Sequence, residues 1–162
     1  MTRQLARRDS LSNDRRVGGR IYSIGYEGLE VEGLVDHLVS LKISLVIDVR
    51  LNAVSRRPGF SGKSLSAGLR ESGIAYRHDP DLGNPPDNRD SFRHGDAKEG
   101  RQRMRELLDN GSRPALRRLV EDAGGARVAV LCVERDRLRC HRDVITEMVQ
   151  EIDPTIEVLP VL

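Results

Sequence analysis

Val128-Ala129-Val130-Leu131-Cys132-Val133, followed at once by the carboxylate of Glu134, is the stretch on which the reading of this chain turns. An unbroken apolar run this short, rich in valine and bounded by Arg127 and Glu134, predicts a strand covered on both faces. Working outward, Leu45-Val46-Ile47-Asp48-Val49 has the same character. Ile21-Tyr22-Ser23-Ile24, ended by Gly25, reads as a short first strand, Ile74 to His78 as a third, and Ile156 to Leu159 as a closing one.

Helical spacing fills the gaps between these runs. Val31, Leu34, Val35, Leu38 and Leu41 share one face, and a short helix from Ser64 to Ser72 stops at Gly73. Glu99 to Asn110 predicts a helix closed by Gly111, and Ser112 is expected to cap another that ends at Gly124-Gly125. A last helix runs from about Cys140 to Glu151, with Val144, Ile145, Met148 and Val149 on one side. Leu51 to Gly62 and the Pro-, Asn- and Asp-rich segment from Asp79 to Lys98 read as loops. Strand–helix alternation without an Asn-Gly hairpin signal predicts an α/β fold. The expected architecture is a Rossmann-like three-layer sandwich, a mostly parallel sheet of about five strands with helices on both faces.

Composition sets the limits. The chain has 162 residues, which suits one domain with a sizeable core and is too few for two ordinary ones. Residues 1–19, with Arg3, Arg7, Arg8, Arg15 and Arg16 among small polar residues, are expected to be a disordered basic leader, and residues 20–162 a single α/β domain. No apolar run approaches the roughly 18–20 residues that cross a bilayer, and no secretory signal opens the chain, so a cytoplasmic protein without membrane partners is expected. The oligomeric state is left open. A net charge of +2 argues against a strong general pull toward nucleic acid. Lysine occurs only at Lys42, Lys63 and Lys98, so arginine, whose planar fork suits phosphate and carboxylate, supplies most of the positive charge.

Chemistry-bearing residues fall where the strands end. Gly25 and Tyr26 follow the first strand, Asp48 and Arg50 the second, His78 the third, and Cys132 and Glu134 the fourth. In an open parallel sheet these ends share one edge, which is where ligands bind. Cys140-His141-Arg142 joins them across a short charged loop. A thiol opening a helix, near free backbone N–H groups, would have its thiolate stabilised, and the same terminus with Arg142 would hold a phosphate or carboxylate. Glu134, Asp48, Cys140 and His141 are the catalytic candidates. Gly25, Tyr26, Arg50, Arg56, His78, Cys132 and Arg142 are the substrate-binding candidates. No cofactor is expected. A metal site is not expected either: Cys132 and Cys140 lack the C-x-x-C spacing, and Cys140 and His141, as neighbours on a helix, would point apart.

The same blocks carry a family likeness. Tyr22-Ser23-Ile24-Gly25-Tyr26-Glu27-Gly28, Asp48-Val49-Arg50, Ser55-Arg56, Phe60, Leu82-Gly83, Leu131-Cys132-Val133-Glu134 and Cys140-His141-Arg142 together resemble domain-of-unknown-function family 488, from about Ile21 to Leu162. The resemblance implies a small α/β fold with conserved residues at these positions and no settled activity, only an association with nucleotide or nucleic-acid processing. After Leu82-Gly83 the family pattern carries more Gly and Arg than Asn84-Pro85-Pro86-Asp87-Asn88 does here.

Three functions compete. The leading one is an enzyme acting on an anionic nucleotide or nucleic-acid-type substrate by hydrolytic or glycosidic cleavage, with carboxylates and arginines at the strand ends. The alternative is a non-catalytic nucleic-acid-binding module, disfavoured by 3% aromatic residues and no tryptophan. The third is cysteine-dependent sulfur transfer or phosphoester chemistry of rhodanese-like type. It is disfavoured because the residues six beyond Cys132 and Cys140 are Leu138 and Thr146, not the arginine a phosphate loop requires.

Overall fold

The structure is a computed structural model that describes residues 18–95 and 97–161, so the expected leader lies, over residues 1–17, outside the described residues. Five strands, β1 (Arg20–Gly25), β2 (Leu45–Asp48), β3 (Ala75–His78), β4 (Arg127–Cys132) and β5 (Glu157–Val161), form one parallel sheet in the order β3-β2-β4-β1-β5. Among the described residues six α-helices cover it: α1 (Val31–Ser40), α2 (Gly62–Glu71), α3 (Pro86–Arg93), α4 (Ala97–Gly111), α5 (Arg113–Gly125) and α6 (Arg142–Ile152). The expected three-layer α/β sandwich is therefore what the chain forms.

Connection direction decides which helix lies on which face. From β1 to β2 to β3 the chain steps toward one edge; from β3 to β4 and on to β5 it steps back. Right-handed crossovers taken in opposite directions place their helices on opposite sides. Leu34 and Leu38 of α1 and Leu65 and Leu69 of α2 accordingly pack on Tyr22, Ile24, Val46, Ala129 and Leu131. The other core joins α4, α5 and α6 to Ile21, Ile47, Val49, Val128, Val130 and Cys132. Odd and even positions of each strand thus feed different cores, the period-two rule of a pleated strand.

Two local expectations need correction. The segment from Asp79 to Lys98 is not a plain loop: it holds a 3-10 turn at Pro80–Leu82, helix α3, and the start of α4. Pro86 sits at the opening of α3, where its missing N–H and fixed φ cost nothing. Ser112 does not cap α5 through its side chain; its Oγ donates to the Asp81 carbonyl at 2.5 Å and ties the front of α5 to the 3-10 turn.

Candidate functional site

The strand parity just described splits the predicted site in two. Asp48, in register with Leu131, faces the α1–α2 side, whereas Cys132 faces α4–α6. On the first side lies a closed polar knot. The Asp48 carboxylate is fully buried and accepts from the Arg50 backbone N–H (3.1 Å), Arg50 Nε (2.9 Å), Arg50 Nη2 (2.5 Å) and the Tyr76 hydroxyl (2.7 Å). Arg50 Nη1 donates to the Tyr26 hydroxyl at 3.1 Å and to the Phe60 carbonyl at 2.8 Å. Tyr26 stacks on Phe60 with ring centroids 4.3 Å apart. Burial opposes the Arg50 charge, but Asp48 and then Tyr26 outweigh it and raise its pKa. Burial, with the hydrogen bond to Asp48, holds the Tyr76 hydroxyl protonated well above the usual phenol range.

Each member of this knot is already satisfied, so it braces the chain leaving β2. His78 joins in the same role, its Nε2 2.7 Å from the Arg50 carbonyl. Arg56 is exposed and stands apart from the knot. Its neighbour Arg57, which the sequence did not single out, lies over the Phe60 ring and donates to the Tyr26 and Leu29 carbonyls.

On the other side of the sheet lies the cavity. It measures about 170 Å³ and opens between the segments leaving β2 and β4, which depart toward opposite faces. Such a parting of loops is where an open α/β sheet takes its ligand. Arg50, Cys132 and Glu134 from the strand ends line it together with Cys140 and His141 of the later block. The remaining wall comes from residues the sequence left unassigned, chiefly Asn84, Arg89, Phe92, Arg93 and Arg139. A second hollow shares Arg93, Val133, Glu134 and Arg139 with the first.

At the base of the cavity the polar groups are tightly coupled. The Cys132 thiol donates to Glu134 Oε2 at 3.3 Å, and Arg93 Nη2 reaches Glu134 Oε1 at 3.5 Å. His141 Nε2 lies 2.9 Å from the Val49 carbonyl, which obliges that nitrogen to carry a proton. The other nitrogen, Nδ1, then faces Cys140 Sγ at 3.7 Å. Burial alone would raise the Glu134 pKa, but its own backbone N–H, the two thiols and His141 hold the carboxyl below its ordinary range. Burial opposes charge on His141 too, yet Cys132, the Val49 carbonyl and Glu134 raise its pKa. The hydrogen bond with Cys140, together with burial, pushes the Cys132 thiol well above its usual value.

Three expectations about the Cys140-His141-Arg142 block change. Cys140 does not open the helix; it precedes the N-cap residue His141 in an extended conformation, and α6 begins at Arg142. Because the two residues are not both helical, their side chains do not diverge. One donor atom each from Cys132, Cys140 and His141 lies within 4.8 Å of the others, so among the described residues this trio could hold a metal ion. Arg142 is buried and is not among the residues that line this cavity: Nη2 donates to the Glu134 carbonyl at 2.6 Å, while Nε and Nη1 have no partner among the described residues. Asp143, next to it at the start of α6, is paired with Arg101 and Arg137 instead.

Gly25 explains itself by packing. A β-carbon there would stand 1.8 Å from the Glu134 carbonyl oxygen, and the chain beyond it is laced to β4 by Tyr26 N–H to Cys132 O and Glu27 N–H to Val133 O. Gly83 likewise lies against the Leu51 backbone, at the mouth of the loop that follows β2.

Fold and cavity together define a small Rossmann-like α/β domain with a polar crevice at the carboxyl edge of its sheet. The chain belongs to the family described as Domain of unknown function DUF488, whose model matches residues 30–149. No curated protein and no solved structure shows significant similarity to it. No helix among the described residues is long and apolar enough to cross a membrane.

Proposed function

We propose that the chain is an enzyme acting on the anionic end of a nucleotide or nucleic-acid-type substrate, with Glu134 as its acid–base group. The observation that carries this is the composition of one wall: Arg89, Arg93 and Arg139 stand around a cavity whose base holds Glu134, Cys140 and His141. None of these arginines is fully buried, unlike Arg50 and Arg142, so their guanidinium forks can meet a phosphate from outside. The anion-binding role expected of Arg50, Arg56 and Arg142 passes to them.

Size narrows the substrate. At about 170 Å³ the cavity is smaller than the roughly 300–1,000 Å³ that encloses a whole drug-sized ligand, so it takes one phosphate or sugar rather than a complete nucleotide. The rest of the substrate would lie in the adjoining hollow along Arg93, Glu134 and Arg139. A carboxylate held ionised beside a thiol and an arginine can take a proton from an attacking water, which suits hydrolytic or glycosidic cleavage.

A thermal-shift panel of nucleoside phosphates, sugar phosphates and short oligonucleotides tests the reading. Stabilisation by phosphorylated ligands, reduced several-fold in Arg93→Ala and Arg139→Ala, is the expected result. Salt-sensitive oligonucleotide binding that ignores both substitutions would indicate instead a nucleic-acid-binding module using another surface.

A further inference from the structure

We propose that Cys132, Cys140 and His141 hold one divalent transition-metal ion, zinc by the softness of the donors, at the base of the cavity with the fourth coordination position open to it. For what the ion would do there, this rests on the site reading above; for whether it binds, it does not.

Four features of the site support it. The two sulfurs and the imidazole come from different parts of the chain, the end of β4 and the approach to α6, yet their donor atoms lie within 4.8 Å of one another. Donors on a tetrahedral zinc, with bonds of about 2.3 Å to sulfur and about 2.0–2.1 Å to nitrogen, stand roughly 3.5–3.8 Å apart. Cys140 Sγ and His141 Nδ1 are already 3.7 Å apart, and no pair in the trio exceeds 4.8 Å, which is about 1 Å beyond that spacing.

The imidazole is also set for the task. Its Nε2 hydrogen is committed to the Val49 carbonyl at 2.9 Å, which fixes the ring and turns the Nδ1 lone pair toward the sulfurs. Ligating histidines are oriented in this way by a carbonyl or carboxylate on their far nitrogen. Burial is the third feature. Cys132, Cys140 and His141 are 5%, 1% and 5% exposed, so the ligand side chains themselves are shielded from bulk solvent and held in place. The fourth is that all three residues line the cavity, so the face of the tetrahedron away from the protein points at the space where a substrate or a water would sit. A three-ligand site with an open position is the catalytic rather than the structural pattern for zinc.

The set matches soft borderline metals and not magnesium or calcium, which demand oxygen donors. A thiol–imidazole hydrogen-bond cluster without metal is the competing explanation, and metal titration separates the two.

The reduced 162-residue chain, stripped with a chelator, is titrated with cobalt(II) alone and then with zinc(II). One equivalent of cobalt should bind, with an intense thiolate-to-cobalt charge-transfer band and the visible bands of a tetrahedral ion, and zinc should bleach both. In Cys132→Ser and Cys140→Ser the charge-transfer intensity per bound cobalt should fall to roughly half, one thiolate remaining. If a serine variant does not fold by circular dichroism, X-ray absorption of the zinc-loaded natural chain replaces it, with two sulfur and two lighter ligands expected. A reduced chain that shows no thiolate-to-cobalt band, or a band untouched by both substitutions, overturns the proposal. Because no anion is present, metal binding without phosphate binding would sink the substrate reading and leave this one standing, and the reverse result would do the opposite.

Discussion

The carbonyl oxygen of Glu134 occupies the place where a β-carbon on Gly25 would project, 1.8 Å from its ideal position, and Arg142 Nη2 donates to that same oxygen at 2.6 Å. Glycine at the end of β1 and a buried arginine at the start of α6 therefore clamp the segment that carries the cavity's carboxylate. Gly25→Ala has to push this segment away from β1. Overpacking of this kind costs about 1–3 kcal/mol, read as a lower midpoint in urea unfolding. Gly68, inside α2 with open space where its β-carbon would be, gives the contrast: Gly68→Ala should stabilise by about 0.5–1 kcal/mol through helix propensity.

The Asp48–Arg50 pair yields a second prediction. Both groups are buried and bonded at 2.5 Å, so neutralising one leaves the other charge stranded. Asp48→Asn should cost about 3–5 kcal/mol of stability, whereas Arg56→Ala on the exposed loop should stay within about 0.5 kcal/mol. Equal effects from the two in chemical unfolding would mean that the knot does not brace the loop.

Glu134→Gln separates binding from chemistry. With the carboxylate charge gone, Arg93 loses its internal partner and is freer to meet a phosphate. Ligand-induced thermal shifts should persist or grow, while turnover of any substrate found in the panel should drop by about 10²–10⁴-fold. Loss of binding in step with activity would place Glu134 in recognition instead.

Thiol accessibility makes a fourth prediction. Cys132 and Cys140 are both free and buried, and the Cys132 thiol is pushed upward by its hydrogen bond with the Cys140 thiol and by burial. In the metal-free folded protein at pH 8, Cys132 should react with a disulfide reagent at least about tenfold more slowly than a free cysteine, and both thiols should titrate at once in denaturant. A fast-reacting native Cys132 would restore thiol chemistry to the candidates.

How much of this is legible in the amino-acid order follows from physical periodicity. The valine-rich run at 128–133 and its counterpart at 45–49 announce a buried parallel sheet, and their polar ends announce its functional edge. Which side of the sheet each end faces stays hidden, because strands covered on both faces lack the alternation that reveals parity. Asp48 and Cys132 therefore read as companions and prove to be back to back. Helix α3 escapes a periodicity reading for a different reason. Its opening Pro-Asp-Asn resembles a loop, and its buried positions are Asn88 and Phe92, too few to show an apolar stripe. Asn88 Nδ2 instead donates to the Asn84 side chain (2.9 Å) and the Gly100 carbonyl (3.0 Å), a polar anchor that hydropathy cannot register. Cys140 stands two residues ahead of α6 rather than at its start, and that small shift in a helix boundary is what lets its thiol and the neighbouring imidazole meet.

That Asn84, Arg89, Phe92 and Arg93 arrive together, on one excursion between β3 and β4, makes the cavity modular. The reactive base follows the central strand, while Asn84, Arg89, Phe92 and Arg93 bring one part of the outer wall from a separate stretch of about ten residues. Exchanging the partly exposed Arg89 within that stretch changes what the cavity meets first while leaving Glu134, Cys140 and His141 where they are.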